Sequence, residues 1–252
     1  LLDCLRYQPS VIAAIIITSD KCYENVEWLW GYRENDRLGG KDPYSASKAC
    51  AELITNVYME SFFKDNGPNI ATTRAGNVIG GGDWALDRVV PDCVRAWSKD
   101  EKVEIRNPNA TRPWQHVLEP LSGYLALGQK LFQGNPELKN QSFNFGPQAK
   151  VNQSVGDLIT EMAQYWPGAE WKFEQEMNSD KPESTLLKLN CDKSLQLLQW
   201  NSVLGFSETI QMTGKWYQDF YSQNPSSILE TTTRQIEEYT ELAVQSTLVW
   251  AQ

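Results

Sequence analysis

The chain has 252 residues, 23 Lys+Arg against 32 Asp+Glu, a formal net charge of −9 and a single histidine. Hydrophobic residues make up 41%, with 10 Trp, 10 Tyr and 8 Phe, enough to bury a core and to exclude a disordered chain. An acidic chain of pI near 4.8 cannot neutralise a run of phosphates, which excludes nucleic acid as a partner but not a small phosphorylated ligand in a local basic pocket.

No apolar run reaches the ~18–20 residues that span a bilayer, so no membrane partner is expected. The five cysteines (Cys4, Cys22, Cys50, Cys93, Cys191) are odd in number and form no CxxC. That pattern fits a reducing cytoplasm better than a disulfide framework. One histidine without paired cysteines predicts no zinc site. Residues 1–7 carry neither an initiator Met nor a signal-peptide layout and read as the tail of a helix, so the chain is expected to begin inside a larger protein.

Residues 11–18 (VIAAIIIT) form a continuous β-branched run, as in a strand buried on both faces of a parallel sheet. Pro43 opens a helix predicted to about Lys64, with Ala49, Leu53, Val57 and Phe62 as its apolar stripe; Asn66-Gly67-Pro68 ends it. Residues 70–75 read as a strand, followed by the glycine-rich loop GNVIGGGD at 76–83. A helix over 87–97 contains Pro91, which bends or restarts it. Strands are predicted over 103–105, 142–145 and 170–173, and helices over 118–132, 154–165, 193–199 and 208–222. After a Gln-Asn-Pro-Ser-Ser link, Ile236, Tyr239, Leu242 and Val244 predict a weakly amphipathic helix. Alternating strands and helices mean an α/β fold with a largely parallel sheet. Residues 1–76 are its regular part, 77–222 a smaller mixed α/β part suited to cover a ligand, and 223–252 a helical tail.

Tyr44 and Lys48 are four apart and share one helix face. A lysine ammonium beside a phenol favours the phenolate and moves it towards the range of a general base. Alone, such a pair is more often solvated helix surface. Ser19-Asp20-Lys21 follows the first strand at its C-terminal end, where open α/β sheets bind ligands. It supplies a hydroxyl, a carboxylate and an ammonium, or else a plain Asx turn. The loop at 76–83 is not GxGxxG, so it is no pyrophosphate loop, but its glycines admit close backbone approach. Arg106 and Arg112 flank NPNAT and can clamp a diphosphate, although a surface arginine is the simpler reading. His116 reads as a structural hydrogen-bonder.

Together, a serine at a strand end, YxxxK some 25 residues later, RAGNVIGGGDW and RPWQHV resemble the extended short-chain dehydrogenase/reductase superfamily. TSDKCYEN, WGYREND, GGKDPYSASK, RAGNVIGGGDWALDR and IRNPNATRPWQHVLEPLSGYL are similar to its CDP-glucose 4,6-dehydratase branch, over residues 1 to about 221. The resemblance implies a Rossmann-like doubly wound parallel sheet, NAD as cofactor and CDP-glucose as substrate. It also implies internal redox chemistry that feeds bacterial surface polysaccharide such as O-antigen, and a homodimer built on the Tyr-Lys helix. In its terms Tyr44 and Lys48 are catalytic and touch the cofactor, Ser19, Asp20 and Lys21 are catalytic, and Asn77, Arg88, Arg112 and Asn144 surround the substrate. Such proteins begin with a glycine-rich GxxGxxG turn, and roughly three β-α units, about 90 residues, precede the segment matched here. Most sugar-nucleotide dehydratases have Asp-Glu where this chain has Asp20-Lys21; the CDP-glucose branch is similar to this chain in carrying lysine. The rival readings are a sugar-nucleotide 4-epimerase, which has no use for an acid beside Ser19, and a non-catalytic sugar-nucleotide-binding remnant.

Overall fold

A computed structural model describes residues 1–105, 107–148, 151–173, 186–222 and 228–252. A short helix, α1 (Leu2–Leu5), leads to β1 (Ala13–Ile17), and α2 (Pro43–Phe62) crosses over to β2 (Asn69–Ala75). Then come β3 (Val78–Ile79), α3 (Val89–Trp97), β4 (Val103–Ile105), β5 (Thr111–Arg112), β6 (Gln115–His116), α4 (Leu118–Phe132) and β7 (Gln141–Phe145). The chain continues through β8 (Gln153–Ser154), α5 (Val155–Ala163), β9 (Trp171–Phe173), α6 (Asp192–Leu198), α7 (Phe206–Tyr221) and α8 (Ile228–Gln245).

The main sheet has the order β1-β2-β7, all parallel, with Ala13 opposite Asn69 and Ala71 opposite Gln141. β7 comes from the second half of the sequence, so the two halves share one sheet. Under it, Leu127, Leu131, Leu138, Phe143, Phe145 and Trp200 form a buried cluster. The second half has its own core, in which Val90, Val94, Trp97, Leu158, Ile159, Met162, Ile210 and Tyr217 join α3, α5 and α7. Among the described residues no helix is long and apolar enough to cross a membrane.

Three sequence expectations change. β1 is not buried on both faces: it is an edge strand here, with Ala13, Ala14, Ile15 and Ile16 half-buried and Ile17 exposed. α2 starts as expected, with Asp42 accepting from the Ser45 amide at 3.0 Å and Pro43 in the first turn. Its buried face, however, is Ser45, Ala49, Glu52, Thr55 and Met59, while Leu53, Val57 and Phe62 are exposed. The sheet face below α2 is polar, so a carboxylate is drawn inward and the oily positions turn out. α8 docks through Thr231, Gln235, Tyr239 and Ala243, leaving Ile236, Leu242 and Val244 substantially exposed. Hydrogen bonds decide that choice: Gln235 Nε2 donates to the Met212 carbonyl at 2.7 Å and Tyr239 donates to Glu119 Oε2 at 2.9 Å. The Gln-Asn-Pro-Ser-Ser link lies outside the described residues.

Candidate active site

The C-terminal end of β1 runs straight into the first functional group. Thr18 N–H still donates to the Thr73 carbonyl at 2.8 Å, and Ser19 then caps a 3-10 turn over Asp20–Cys22 by accepting from the Lys21 amide. The turn is therefore capped by serine rather than by an Asx bond from Asp20. Ser19 Oγ donates to Asp20 Oδ1 at 2.9 Å, and Asp20 is only 3% exposed. Burial pushes the Asp20 carboxyl above its ordinary range, against the opposing pull of Lys21, Ser19 and Arg112. The carboxylate lies on the next strand end: a Cβ on Gly76 would come within 1.9 Å of Asp20 Oδ2. Glycine at 76 is what lets the two strand ends meet.

Tyr44 and Lys48 occupy the first turns of α2, and Lys48 Nζ stands 5.7 Å from the centroid of the half-exposed Tyr44 ring. A cavity of about 590 Å³ opens between these groups and the glycine-rich loop. Ser19, Asp20, Lys21, Tyr44, Asn77, Arg88 and Arg112 all line it. Lys48 is not among the lining residues. Asn77 holds a left-handed backbone conformation (φ 51°) as the chain leaves β2. Arg112 reaches the cavity from β5, its Nη1 donating to the Thr111 carbonyl at 2.8 Å. The loop itself is braced, since Gly81 packs on the Trp216 indole and Tyr217 OH donates to the Asp83 carbonyl at 2.7 Å.

One predicted substrate residue is not there. Asn144 is 0% exposed and does not line the cavity. Its amide is fully used within the fold: Oδ1 accepts from Tyr23 OH at 2.8 Å, and Nδ2 donates to the Tyr32 and Asn190 carbonyls. It is a structural hydrogen-bonder and is withdrawn from the site. Arg106 lies outside the described residues. His116 is buried, accepts from the Leu118 amide at 3.3 Å and is pushed down to about 4 by burial, so it is neutral.

Residues unnoticed in the sequence also contribute. Asp83, Asp87, Trp114 and Tyr124 line the cavity. Beneath it, Glu52 and Arg74 form a salt bridge with side chains 2% and 3% exposed respectively. The available signal was spacing, since Glu52 continues the 44, 48 series by one more turn.

Comparison with known proteins shows the family of the chain. Residues 1–146 match the NAD dependent epimerase/dehydratase family. The chain is 43% identical over 223 residues to CDP-glucose 4,6-dehydratase of Salmonella typhimurium, covering 86% of this chain and 61% of that relative. It therefore spans about three fifths of that relative's length. Among solved structures, dTDP-glucose 4,6-dehydratase from Bacillus anthracis, in complex with NAD, is similar in fold (TM-score 0.72, 18% identity, 86% of this chain and 65% of that one). UDP-glucuronic acid 4-epimerase from Bacillus cereus, in complex with UDP-glucuronic acid and NAD, is also similar (TM-score 0.68, 18% identity, 82% and 62%). This chain belongs to the NAD dependent epimerase/dehydratase family.

Proposed function

We propose that the whole protein is a sugar-nucleotide 4,6-dehydratase acting on CDP-glucose with NAD, and that residues 1–252 carry its catalytic side. One observation carries the reading: a buried Asp20, its carboxyl pushed above the ordinary range by desolvation, stands beside Ser19 in the cavity that Tyr44 also lines. Oxidation at one sugar carbon needs only a base and a hydrogen-bond donor. A second acid is useful when a hydroxyl must leave. That requirement favours dehydration over 4-epimerisation.

The donor set fits the reactive end of the cofactor, since the Tyr44 phenol lines the cavity beside the C-terminal ends of β1 and β2, with the Lys48 ammonium 5.7 Å from its ring centroid. NAD, when bound, supplies a reversible store for the hydride that leaves carbon 4 and returns at carbon 6. Tyr44, as the phenolate that the Lys48 ammonium favours, takes the proton from the 4-hydroxyl and is left as the phenol. Ser19 hydrogen-bonds the same oxygen. The 4-ketone acidifies the proton on carbon 5, and Asp20 protonates the departing 6-hydroxyl, so one water leaves. Lys21 serves as the carbon-5 base or orients a water there. Arg112, Arg88 and Asn77 hold the diphosphate and sugar.

No GxxGxxG turn occurs in the 252 residues, so the pyrophosphate of NAD is held elsewhere in the whole protein and this chain alone binds NAD poorly. The division into residues 1–76 on the cofactor side and 77–222 on the substrate side, with 223–252 as a helical tail, is supported by the cavity lying between strand ends and the later loops. Leu53, Ile54 and Val57 form an exposed apolar face on α2, which supports a homodimer packed through that helix. Light scattering should give twice the subunit mass for the whole protein. The cytoplasm is its expected place, where its substrate would be made.

The test is product analysis in deuterated water. Incubation of the whole protein with CDP-glucose should yield a product lighter by one water, with deuterium at carbon 5. An epimer of unchanged mass and no deuterium at carbon 5 would overturn the reading in favour of the epimerase.

A further inference from the structure

We infer that Glu52 and Arg74 are positioning residues, whose buried pair fixes Tyr44 and Lys48 relative to the Ser19–Asp20 turn. The inference rests on the reading of the cavity as catalytic. Arg74 grips Glu52 with two parallel bonds, Nε to Oε1 and Nη2 to Oε2, both 2.9 Å. Apart from Ser142 on β7, which accepts from Arg74 Nη2 at 3.1 Å and donates to Glu52 Oε2 at 3.4 Å, and the Glu34 carbonyl, the pair's remaining side-chain hydrogen bonds go to segments that carry the site. Thr18, the residue before Ser19, places its hydroxyl 2.5 Å from Glu52 Oε1. Thr72 donates to Oε2 at 2.7 Å from β2, the strand that ends at Gly76 and Asn77. Arg74 Nη1 donates to Tyr23 OH at 2.8 Å, just beyond the Asp20–Cys22 turn, and to the Glu34 carbonyl at 3.0 Å.

Burial pushes the Glu52 carboxyl up, but Arg74, Thr18 and Thr72 more than offset it and leave the group below its ordinary range. Desolvation makes a buried ion pair weak evidence for stability. Its geometry does something that apolar packing cannot do here. Near the site α2 turns Ser45, Ala49 and Glu52 towards the sheet, two small residues and a carboxylate. Large side chains are not available to interlock there, so hydrogen bonds to Glu52 set the rotation and height of the helix. Positions 44, 48 and 52 lie on successive turns of one face, and a shift at Glu52 is carried to the phenol.

Two matched substitutions in the whole protein test this. Thr18→Val and Thr72→Val each remove one hydroxyl contact with Glu52, the first at the catalytic turn and the second in mid-strand. Both should melt within a few degrees of each other. Thr18→Val should lower kcat by ~10-fold with KM nearly unchanged, whereas Thr72→Val should stay within ~2-fold of wild type, because misplacement matters only at the reacting groups. Amide exchange at residues 19–22 should rise in Thr18→Val alone, a readout independent of turnover. Glu52→Gln should lower kcat further, by ~10²-fold. Equal effects of the two threonine variants, no effect of either, or a larger effect of Thr72→Val would overturn the inference. So would a rise in KM without a fall in kcat. If wild type does not convert CDP-glucose, the functional reading fails at that point, and the exchange pattern still decides the role of the pair.

Discussion

The sheet edge around β1 and the lobe of α3, α5 and α7 solve burial in opposite ways. In the lobe the apolar residues face one another: Val94, Leu158, Ile159, Ile210 and Tyr217 are fully buried in a single cluster. Around β1 they face outward. Leu53, Ile54 and Val57 on α2, Ile12 and Ile17 flanking or ending β1, and Leu121, Leu125 and Phe132 on α4 are all exposed. The α4 residues recur at helical spacing, so they form a stripe rather than scattered exceptions. β1 adds an open row of backbone donors and acceptors along its outer side. The lobe is closed upon itself, whereas the edge leaves its apolar residues exposed. The candidate site lies where the two meet.

Truncating one leucine on each side separates the two regions. Leu158→Ala, at 0% exposure, should destabilise the chain by about 2–5 kcal/mol, measured by denaturant unfolding. Leu125→Ala, at 75% exposure, should change it by less than about 0.5 kcal/mol in residues 1–252. In the whole protein the Leu125 substitution should cost more if the stripe is covered there. Equal losses for the two leucines in the 252-residue chain would contradict the distinction.

A smaller effect sharpens the lobe's side of the comparison, where α8 is fastened by a titrating group. Glu119 is 1% exposed and accepts from the Val203 and Leu204 amides and from Tyr239 OH. Burial pushes its carboxyl from 4.5 up to about 7. The folded state therefore prefers the protonated form. The stability it contributes is fully present below pH about 4.5 and is lost as pH rises through about 7. Glu119→Gln keeps an acceptor for the amides and offers a donor to Tyr239. The variant should match wild type at low pH and exceed it above pH 7, by on the order of 2–3 kcal/mol. Parallel melting curves across that window would contradict the assignment.

What the sequence shows and what it hides follow the same division. The start of α2 and the Tyr44–Lys48 spacing rest on contacts within a few residues, such as the Asp42–Ser45 cap, and β1 and β2 on local runs rich in β-branched residues, so all of these are legible. The buried face of α2 is not. Glu52 goes inside only because Arg74 meets it from a strand 22 residues on, which periodicity does not encode. Asn144 misled for the same reason. A polar residue near the end of a strand looks like a ligand contact until Tyr23, Tyr32 and Asn190 are seen to use every part of its amide. The docking face of α8, at spacing 231, 235, 239, 243, is mostly polar and was hidden behind the oilier face that stays exposed.

In the proposed reaction labour is divided at the strand end, Tyr44 with Lys48 for oxidation at carbon 4 and Asp20 for the later loss of water. Rapid mixing of the whole protein with CDP-glucose, followed at the absorbance of reduced nicotinamide, tests it most directly. Tyr44→Phe should show no signal at all. Asp20→Asn should show the signal at near wild-type rate and then hold it, because losing one positioned general acid slows the following step by ~10²–10⁴-fold. Equal loss of the signal in both variants would contradict the account and place Asp20 in the first step.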